Sequence, residues 1–288
     1  MDGASFGFVH GIDASVGHTS QAAPAAVTVG GRISVKVTFD GEFKAPAPLT
    51  IGAKESEGCC PPGIEMDSQD RTLIVAEDGA LCNVVVTLTA DGFERVVPTE
   101  PVVLDQKKCR YEPHVVVVPM GAKISYRNSD GVNHNVHTYS KKNQAVNKSV
   151  ASNTSDEQLL EKDEAFEVKC DIHPWMLSNV YVTDATHYAV TGPDGKFSLR
   201  GVPAGKYKVE YWHARLGKGK TDEIEVTDGG TASVDFALSE KKKGGKKDSL
   251  AEPGGGVASP DVNISPRNSV DATPGVAADA PKRKKKRK

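Results

Sequence analysis

The stretch Cys170-Asp-Ile-His-Pro-Trp-Met176 decides how this chain is interpreted. It places a thiol, an imidazole and a thioether within seven residues, in a proline-containing loop directly after the alternating segment Phe166–Cys170. An ion that changes between Cu(I) and Cu(II) needs ligands that suit both states, and one Cys, two His and a weak axial Met meet that need. The stretch therefore predicts a copper-binding loop at the end of a β-strand, with one histidine still to be supplied.

The second histidine is expected from Asn133-His-Asn-Val-His137, which follows the predicted strand Lys123–Arg127 and the turn Asn128–Gly131. A histidine in this segment reaches the Cys170 loop when the two strands are neighbours in a sandwich. Of the two histidines here, His137 is expected to be a packed or surface residue rather than a ligand.

Other interpretations of these residues stay open. A cysteine at the end of a buried strand often serves only as a small hydrophobic residue. Zinc is a second metallic option, although zinc sites favour several Cys or His ligands and rarely include Met. His114 opens an apolar strand and is expected to be structural, with a secondary metal site there as the alternative.

The two stretches resemble the amicyanin and plastocyanin group of cupredoxins, and amicyanin most of all. Residues Lys108–Pro113 and Val118–Asn128 look like the strands that precede that family's first ligand. His134-Asn-Val-His137 matches the first-ligand motif, and Cys-x-x-His-Pro-aromatic-Met matches the short ligand loop. The resemblance implies one type 1 copper ion whose ligands are His134, Cys170, His173 and Met176.

The resemblance also assigns neighbours of the ligands, and it covers residues 102–183. Asn135 falls where cupredoxins use an Asn side chain to tie the two ligand loops together, and Trp175 is expected to shield the copper from water. The chain departs from the family in a polar excursion over residues 138–163. Within it, Asp156–Glu164 is predicted to form one or two helical turns.

A second resemblance covers residues 186–239. The segment Gly192–Val209 contains a turn glycine, an aromatic strand, Val-Pro-Ala-Gly and a strand that begins with tyrosine. It is similar to the carboxypeptidase-regulatory-like β-sandwich repeat, which implies a small prealbumin-like module without catalytic residues.

Short alternating segments with frequent turn residues, such as Arg32–Phe39, predict an all-β protein. Beyond Ser239 almost no large apolar residue remains, so a packed core is not expected there. The predicted order is a disordered N-terminus (1–26), a β-region that extends or packs on the next domain (27–101), a cupredoxin Greek-key β-sandwich (102–185), the regulatory-like β-sandwich (186–239) and a disordered Lys-rich tail (240–288).

Charge and cysteines add to this picture. The net charge of −2 combines an acidic body with a tail from Lys241 onward that has 13 Lys or Arg and 5 Asp or Glu. This tail suits an anionic surface, but it lacks interleaved aromatic residues, so nucleic acid is not the expected partner. The chain has five cysteines, an odd number, so two or four of them can pair in disulfides while one is kept for chemistry. We predict that Cys109 pairs with Cys59 or Cys60 and that Cys82 is a buried thiol.

No Ser-His-Asp order, P-loop or dinucleotide motif is present in the sequence, so we do not expect an enzyme. The expected function is one-electron transfer with a redox partner such as a cytochrome c or a dehydrogenase. The alternatives are a structural or glycan- or partner-binding β-sandwich protein and a copper carrier. An extracytoplasmic location, in a bacterial periplasm or at the cell surface, is expected, although no clear signal peptide and no membrane span is visible.

Overall fold

A computed structural model of the 288-residue chain describes residues 30–60, 64–89, 94–221 and 223–240. The predicted disordered N-terminus and the Lys-rich tail from residue 241 onward lie outside these residues. Across the described ranges the regular structure is β only, which confirms the predicted all-β class. In chain order the strands are β1 (Gly31–Phe39), β2 (Val85–Leu88), β3 (Val102–Lys107), β4 (Arg110–Glu112), β5 (Val115–Pro119), β6 (Lys123–Asn128), β7 (His134–Thr138), β8 (Asn147–Val150), β9 (Ser155–Leu159), β10 (Glu164–Lys169), β11 (Leu177–Thr183), β12 (His187–Val190), β13 (Lys196–Val202), β14 (Gly205–Tyr207), β15 (Val209–His213), β16 (Gly217–Lys220), β17 (Ile224–Val226) and β18 (Thr231–Leu238).

Strands β3 to β11 form one sandwich. One sheet has the order β5-β11-β10-β7-β8 and the other has the order β4-β3-β6-β9. Alternation explains these strands: in β10, Phe166 and Val168 are buried, while Glu167 between them is exposed. The helical turns predicted at Asp156–Glu164 are wrong, because these residues contribute to β9, the loop after it and the start of β10.

Strands at both ends of the described chain form the second sandwich. Its larger sheets have the orders β13-β1-β18 and β12-β2-β15-β16, with a β14-β17 ribbon beside them. The strand β1 lies between β13, which is antiparallel to it, and β18, which is parallel to it. Apolar residues of β1 and β2, among them Ile33, Val35 and Val86, are almost completely buried in the core of this sandwich.

The N-terminal β-region was expected to extend or pack on the cupredoxin-like part, and its two strands do otherwise. Both β1 and β2 complete the regulatory-like sandwich, and the β3–β11 sandwich is an insertion between β2 and β12. Only the first part of the segment between β1 and β2 behaves as expected, because its later residues Leu73 and Leu81 belong to the core of the second sandwich. The residues Leu49, Ile51, Cys59 and Met66 of this first part pack against the core of the inserted sandwich.

The two sandwiches contact each other through a small apolar cluster. Val85 of β2 and Val115 and Val117 of β5 are buried together. Beside them, the rings of Tyr181 and Trp212 lie 5.1 Å apart between their centroids. Nothing in the described part of the chain is a helix long and apolar enough to cross a bilayer.

Two buried histidines lie close enough to interact electrostatically, one in each sandwich. His114 directly precedes β5 and His213 ends β15, and both are almost fully buried. Burial lowers the pKa of each to about 4, and the positive charge of Arg71 adds to the effect on His114. Both side chains are therefore neutral in the folded protein at neutral pH.

We predict that acid destabilises the fold through these two histidines. The unfolded chain takes up their protons near pH 6.5 and the folded chain only near pH 4, so the unfolded state binds more protons across this window. The free energy of unfolding should fall by about 3 kcal/mol per histidine between these pH values. Urea unfolding at pH 7.5 and pH 4 measures this change.

A substitution of His213 isolates its contribution to the pH dependence of the free energy of unfolding. The Nδ1 atom of His213 accepts hydrogen bonds from the N–H groups of Arg215 and Leu216 at 3.2 Å. An asparagine oxygen can accept the same bonds without titrating, so His213→Asn should flatten the pH dependence. An unchanged slope in this variant would contradict the assignment to His213.

Candidate metal centre

The ends of two neighbouring strands bring the first ligand candidates together. His134 begins β7 and Cys170 follows β10, and these strands are antiparallel neighbours. His173 lies three residues beyond Cys170, in the loop before β11. The Nδ1 atoms of His134 and His173 are 3.0 Å apart, and the Cys170 sulfur is 3.5 Å from Nδ1 of His173. Ligand atoms of all three residues lie within 4.8 Å of one another.

The loop that follows Cys170 is short and closed by its own backbone. The N–H of Cys170 donates to the carbonyl of Met176 at 3.4 Å, and the N–H of Met176 donates to the carbonyl of His173 at 2.9 Å. The side chain of Met176 is fully buried in the same core as Cys170. The loop thus holds a thiol, an imidazole and a thioether at one end of the sandwich.

Cys170 is prepared to act as a thiolate. Burial raises the pKa of its thiol, but hydrogen bonds from His134, His173 and the backbone N–H of Asn135 outweigh burial and bring the pKa to about 6. The N–H of Asn135 lies 3.4 Å from the sulfur. Since only the thiolate binds metals strongly, this environment favours metal ligation at neutral pH.

Asn135 joins the two ligand segments, in the position that the cupredoxin resemblance implies. Its side-chain oxygen accepts the N–H of Asp171 at 3.1 Å, directly after Cys170. The hydroxyl of Tyr111 also connects both segments, donating to the carbonyls of Asn135 and Lys169. Trp175 is buried, and its ring centroid lies 5.4 Å from that of His173.

Asp130 is a site residue that the sequence analysis missed. Its carboxylate lies 2.8 Å from Nε2 of His134, on the side of the ring away from Cys170. It also accepts the backbone N–H groups of Lys108 and Cys109 at 2.6 and 2.8 Å. Although burial raises its pKa, the hydrogen bonds from His134 and these N–H groups outweigh that effect and lower it. The sequence feature that could have indicated Asp130 is its position as an acidic residue in the Asn128–Gly131 turn, four residues before His134.

We predict that Asp130→Asn weakens copper binding by about 10- to 100-fold, the usual effect of removing a group that orients a metal-binding histidine. An amide cannot provide the negative charge that fixes the orientation and protonation of His134. A competition titration with a chelator of known affinity measures the change. Asp171→Asn is the matched control, because Asp171 is exposed and contacts His137 instead. Equal losses in both variants would contradict a specific role for Asp130.

The remaining histidines of the sequence analysis lie apart from this arrangement. Nδ1 of His137 is 2.9 Å from Asp171, and its ring stacks on Tyr139 at 4.4 Å between centroids. His114 lies near the contact with the second sandwich, as described above. Neither belongs to the group of ligand atoms around Cys170.

The cysteines other than Cys170 divide into one pair and two thiols. Cys59 and Cys109 form a disulfide, which is one of the two pairings expected for Cys109. Cys60 and Cys82 are free, and Cys82 is only half-buried rather than buried as expected. Its sulfur donates to the carbonyl of Thr191 at 3.5 Å. The sulfur of Cys109 lies 4.0 Å from Nε2 of His173, so the disulfide closes the outer side of that ring.

The donor set fits a copper ion. Metal–ligand bonds of about 2.0–2.3 Å separate neighbouring donor atoms by roughly 3–4 Å, and the distances from His173 to His134 and to Cys170 lie in this range. A thiolate and two imidazoles with a buried methionine in the same loop suit an ion that changes between Cu(I) and Cu(II). A coordinated metal would replace the direct hydrogen bond between the two histidines.

Comparisons with known proteins agree with the two resemblances. A family model for the carboxypeptidase regulatory-like domain matches residues 176–239. No curated protein matches the chain. The C-terminal part of the chain therefore resembles carboxypeptidase regulatory-like domains.

Solved structures similar to the chain include three copper proteins. A copper-containing nitrite reductase from Thermus scotoductus is 18% identical, with a TM-score of 0.28, over 33% of this chain and 25% of that one. A purple cupredoxin from Nitrosopumilus maritimus is 19% identical, with a TM-score of 0.25, over 28% of this chain and 99% of that one. The Cu(I) form of an amicyanin mutant is 20% identical, with a TM-score of 0.28, over 34% and 98% of the two chains. The chain thus spans only a quarter of the nitrite reductase.

Proposed function

We propose that this protein binds one type 1 copper ion through His134, Cys170, His173 and Met176 and transfers single electrons. The observation that carries the proposal is the convergence of two Nδ1 atoms and one low-pKa thiol on a single buried point. Bound copper would supply the one-electron change between Cu(I) and Cu(II). The protein's contribution is to hold the ligands in nearly one arrangement for both oxidation states.

Hydrogen bonds around the ligands provide this rigidity. Asp130 fixes the ring of His134, and Asn135 fixes both the Cys170 sulfur and the backbone after it. Tyr111 ties the same two segments from inside the core. Because His134 and Cys170 are held by groups that are themselves hydrogen-bonded, little reorganisation should accompany electron transfer.

Burial favours an electron carrier over an enzyme. A catalytic metal keeps a coordination position open for substrate or water. His173 is 3% exposed, Cys170 is 2% exposed and Met176 is fully buried, so the described ligands leave a small molecule no direct path to the metal. A partner protein, such as a cytochrome c or a dehydrogenase, would exchange electrons through the surface above the site.

The disulfide supports an extracytoplasmic location. Disulfides persist in oxidising compartments and are rare in the cytosol. The Cys59–Cys109 bridge lies directly beside His173 and is buried. The disulfide therefore supports our proposal that the protein works in the periplasm or at the cell surface.

The test is reconstitution of the full chain with one equivalent of Cu(II). We expect an intense blue colour from sulfur-to-copper charge transfer and a reversible one-electron wave in voltammetry. The same chain loaded with Zn(II) is the control and should be colourless and redox-silent. A colourless Cu(II) complex would overturn the site, and an irreversible wave would favour a copper carrier.

Met176→Leu tests the fourth ligand. We predict that this variant keeps the blue colour, because Cys170 and both histidines remain, and that its reduction potential rises with the loss of the weak axial bond. Leucine has a similar volume, so the packing of the buried side chain should survive. Voltammetry of the two proteins measures the shift. An unchanged potential would remove Met176 from the ligand set.

A further inference from the structure

His173 faces a second group of ligand-type atoms with its other ring nitrogen. While Nδ1 points to Cys170 and His134, Nε2 contacts the sulfur of Cys109 at 4.0 Å. The ligand atoms of Cys59, Cys109 and His173 all lie within 4.8 Å of one another. All three side chains are buried, with exposed fractions of 2%, 0% and 3%. In the oxidised protein the disulfide occupies both sulfurs.

We propose that reduction of the Cys59–Cys109 disulfide creates a second metal site, formed by the two thiolates and Nε2 of His173. The ligand class is a thiophilic d10 ion, Zn(II) or Cu(I), for which two thiolates and an imidazole are suitable donors. This site is separate from the copper centre proposed above and shares only the imidazole of His173 with it. The disulfide is thus the oxidised, metal-free form of a redox-controlled site.

The chemistry balances with an external dithiol as reductant. The dithiol gives two electrons and two protons to the disulfide, so the protein gains two thiols and the reductant becomes a cyclic disulfide. Binding of the metal then displaces the protons of Cys59 and Cys109. When Nδ1 of His173 also holds copper, the second metal displaces the proton on Nε2 as well.

The surrounding backbone positions the sulfurs for this site. The N–H of Cys109 is fixed by Asp130 at 2.8 Å, and the N–H of Cys59 donates to the carbonyl of Ser56 at 3.0 Å. The Cα atoms of the two cysteines are 5.2 Å apart. Metal–sulfur bonds of about 2.3 Å hold two sulfurs nearly 4 Å apart, so the sulfurs need to separate by about 2 Å. We expect rotation of the Cys59 and Cys109 side chains to provide this separation.

A surface cavity lies beside the disulfide, on the side of Cys59. It has a volume of about 390 Å³, and Cys59 and Asp130 contribute to its wall. Lys107 and Lys108 also line it, and their positive charges favour a thiol that carries carboxylates. Cys60, whose thiol is free, also lines this cavity.

The experiment uses the full chain with Cys170→Ser, which removes the thiolate of the copper centre. One sample stays oxidised, and the other is reduced with dithiothreitol and freed of reductant without oxygen. Both are titrated with Co(II), whose absorption reports coordinated thiolates. We expect the reduced sample to bind one additional equivalent, with sulfur-to-cobalt charge transfer, and the oxidised sample to lack this absorption. Equal binding in both samples would overturn the proposal.

Single substitutions assign the ligands. In the same Cys170→Ser chain, Cys109→Ser should abolish the additional equivalent, whereas Cys82→Ser and Cys60→Ser should retain it. Loss in either control would assign the absorption to a free thiol and overturn the site. The reduced Cys170→Ser chain with no further substitution is also loaded with Zn(II). X-ray absorption of this sample should show two sulfur ligands on the zinc. Because Cys170 is absent throughout, failure of the copper assignment would leave this outcome unaffected.

Discussion

Cys170→Ser is expected to abolish the blue colour of the copper-loaded protein completely. It should also weaken copper binding by more than about 100-fold, because loss of a residue that only orients a ligand already weakens binding by up to about 100-fold. Serine provides no low-pKa thiolate, and the charge transfer that gives the colour requires the sulfur–copper bond. Visible spectroscopy and a chelator competition measure both effects.

Cys82→Ser is the matched control for that variant. Cys82 is also a free cysteine, but it is half-buried and its sulfur contacts Thr191 in the second sandwich. Its replacement should leave the spectrum unchanged. Persistence of the blue colour in Cys170→Ser, or its loss in Cys82→Ser, would show that the thiolate ligand is another cysteine.

Residues 186–240 expressed alone are expected to be unfolded, although the family match lies almost entirely within them. The strand β1 lies between β13 and β18, and β2 lies between β12 and β15, so the fragment loses an inner strand of each large sheet. Ile33, Val35 and Val37 are at most 1% exposed. At about 2 kcal/mol for each buried side chain, these three contribute about 6 kcal/mol, which is as large as the total stability of many domains, typically about 5–15 kcal/mol.

Circular dichroism and denaturant unfolding test this expectation. The control is residues 30–240, which retain all described strands and should unfold cooperatively. Cooperative unfolding of the 186–240 fragment would contradict the dependence on β1 and β2.

The proximity of Cys170 and His173 could be predicted because it depends on short-range spacing. Cys170, His173 and Met176 lie in one loop, and the alternating strand before it fixes which end of the sandwich they occupy. Coordination chemistry asked for a second imidazole from the segment Asn133–His137, and the resemblance to cupredoxins selected His134. The structure places His134 beside His173 and His137 beside Asp171.

Other features depend on contacts that a local pattern cannot specify. Alternation predicts that Arg32–Phe39 is a strand, but not that its neighbour is β18, about 200 residues later in the chain. The polar strands β8 and β9 lie at sheet edges, where a strand does not need to bury an apolar face. Their sequences therefore lack the alternation of a strand and resemble a loop or a helix. The role of Asp130 likewise depends on how its turn is oriented toward His134.

The insertion of one sandwich into the other sets an order of events during protein synthesis. Strand β1 emerges from the ribosome about 200 residues before its partner β18, a delay of roughly 10–40 s at ordinary elongation rates. The inserted sandwich can fold within that interval, because all its strands are consecutive. Its folding draws together the chain on either side of it, where Leu88 pairs with His187. The nascent insert thereby closes the long loop in the host sandwich before the last host strands are made, and this lowers the entropy that the host must lose when it folds.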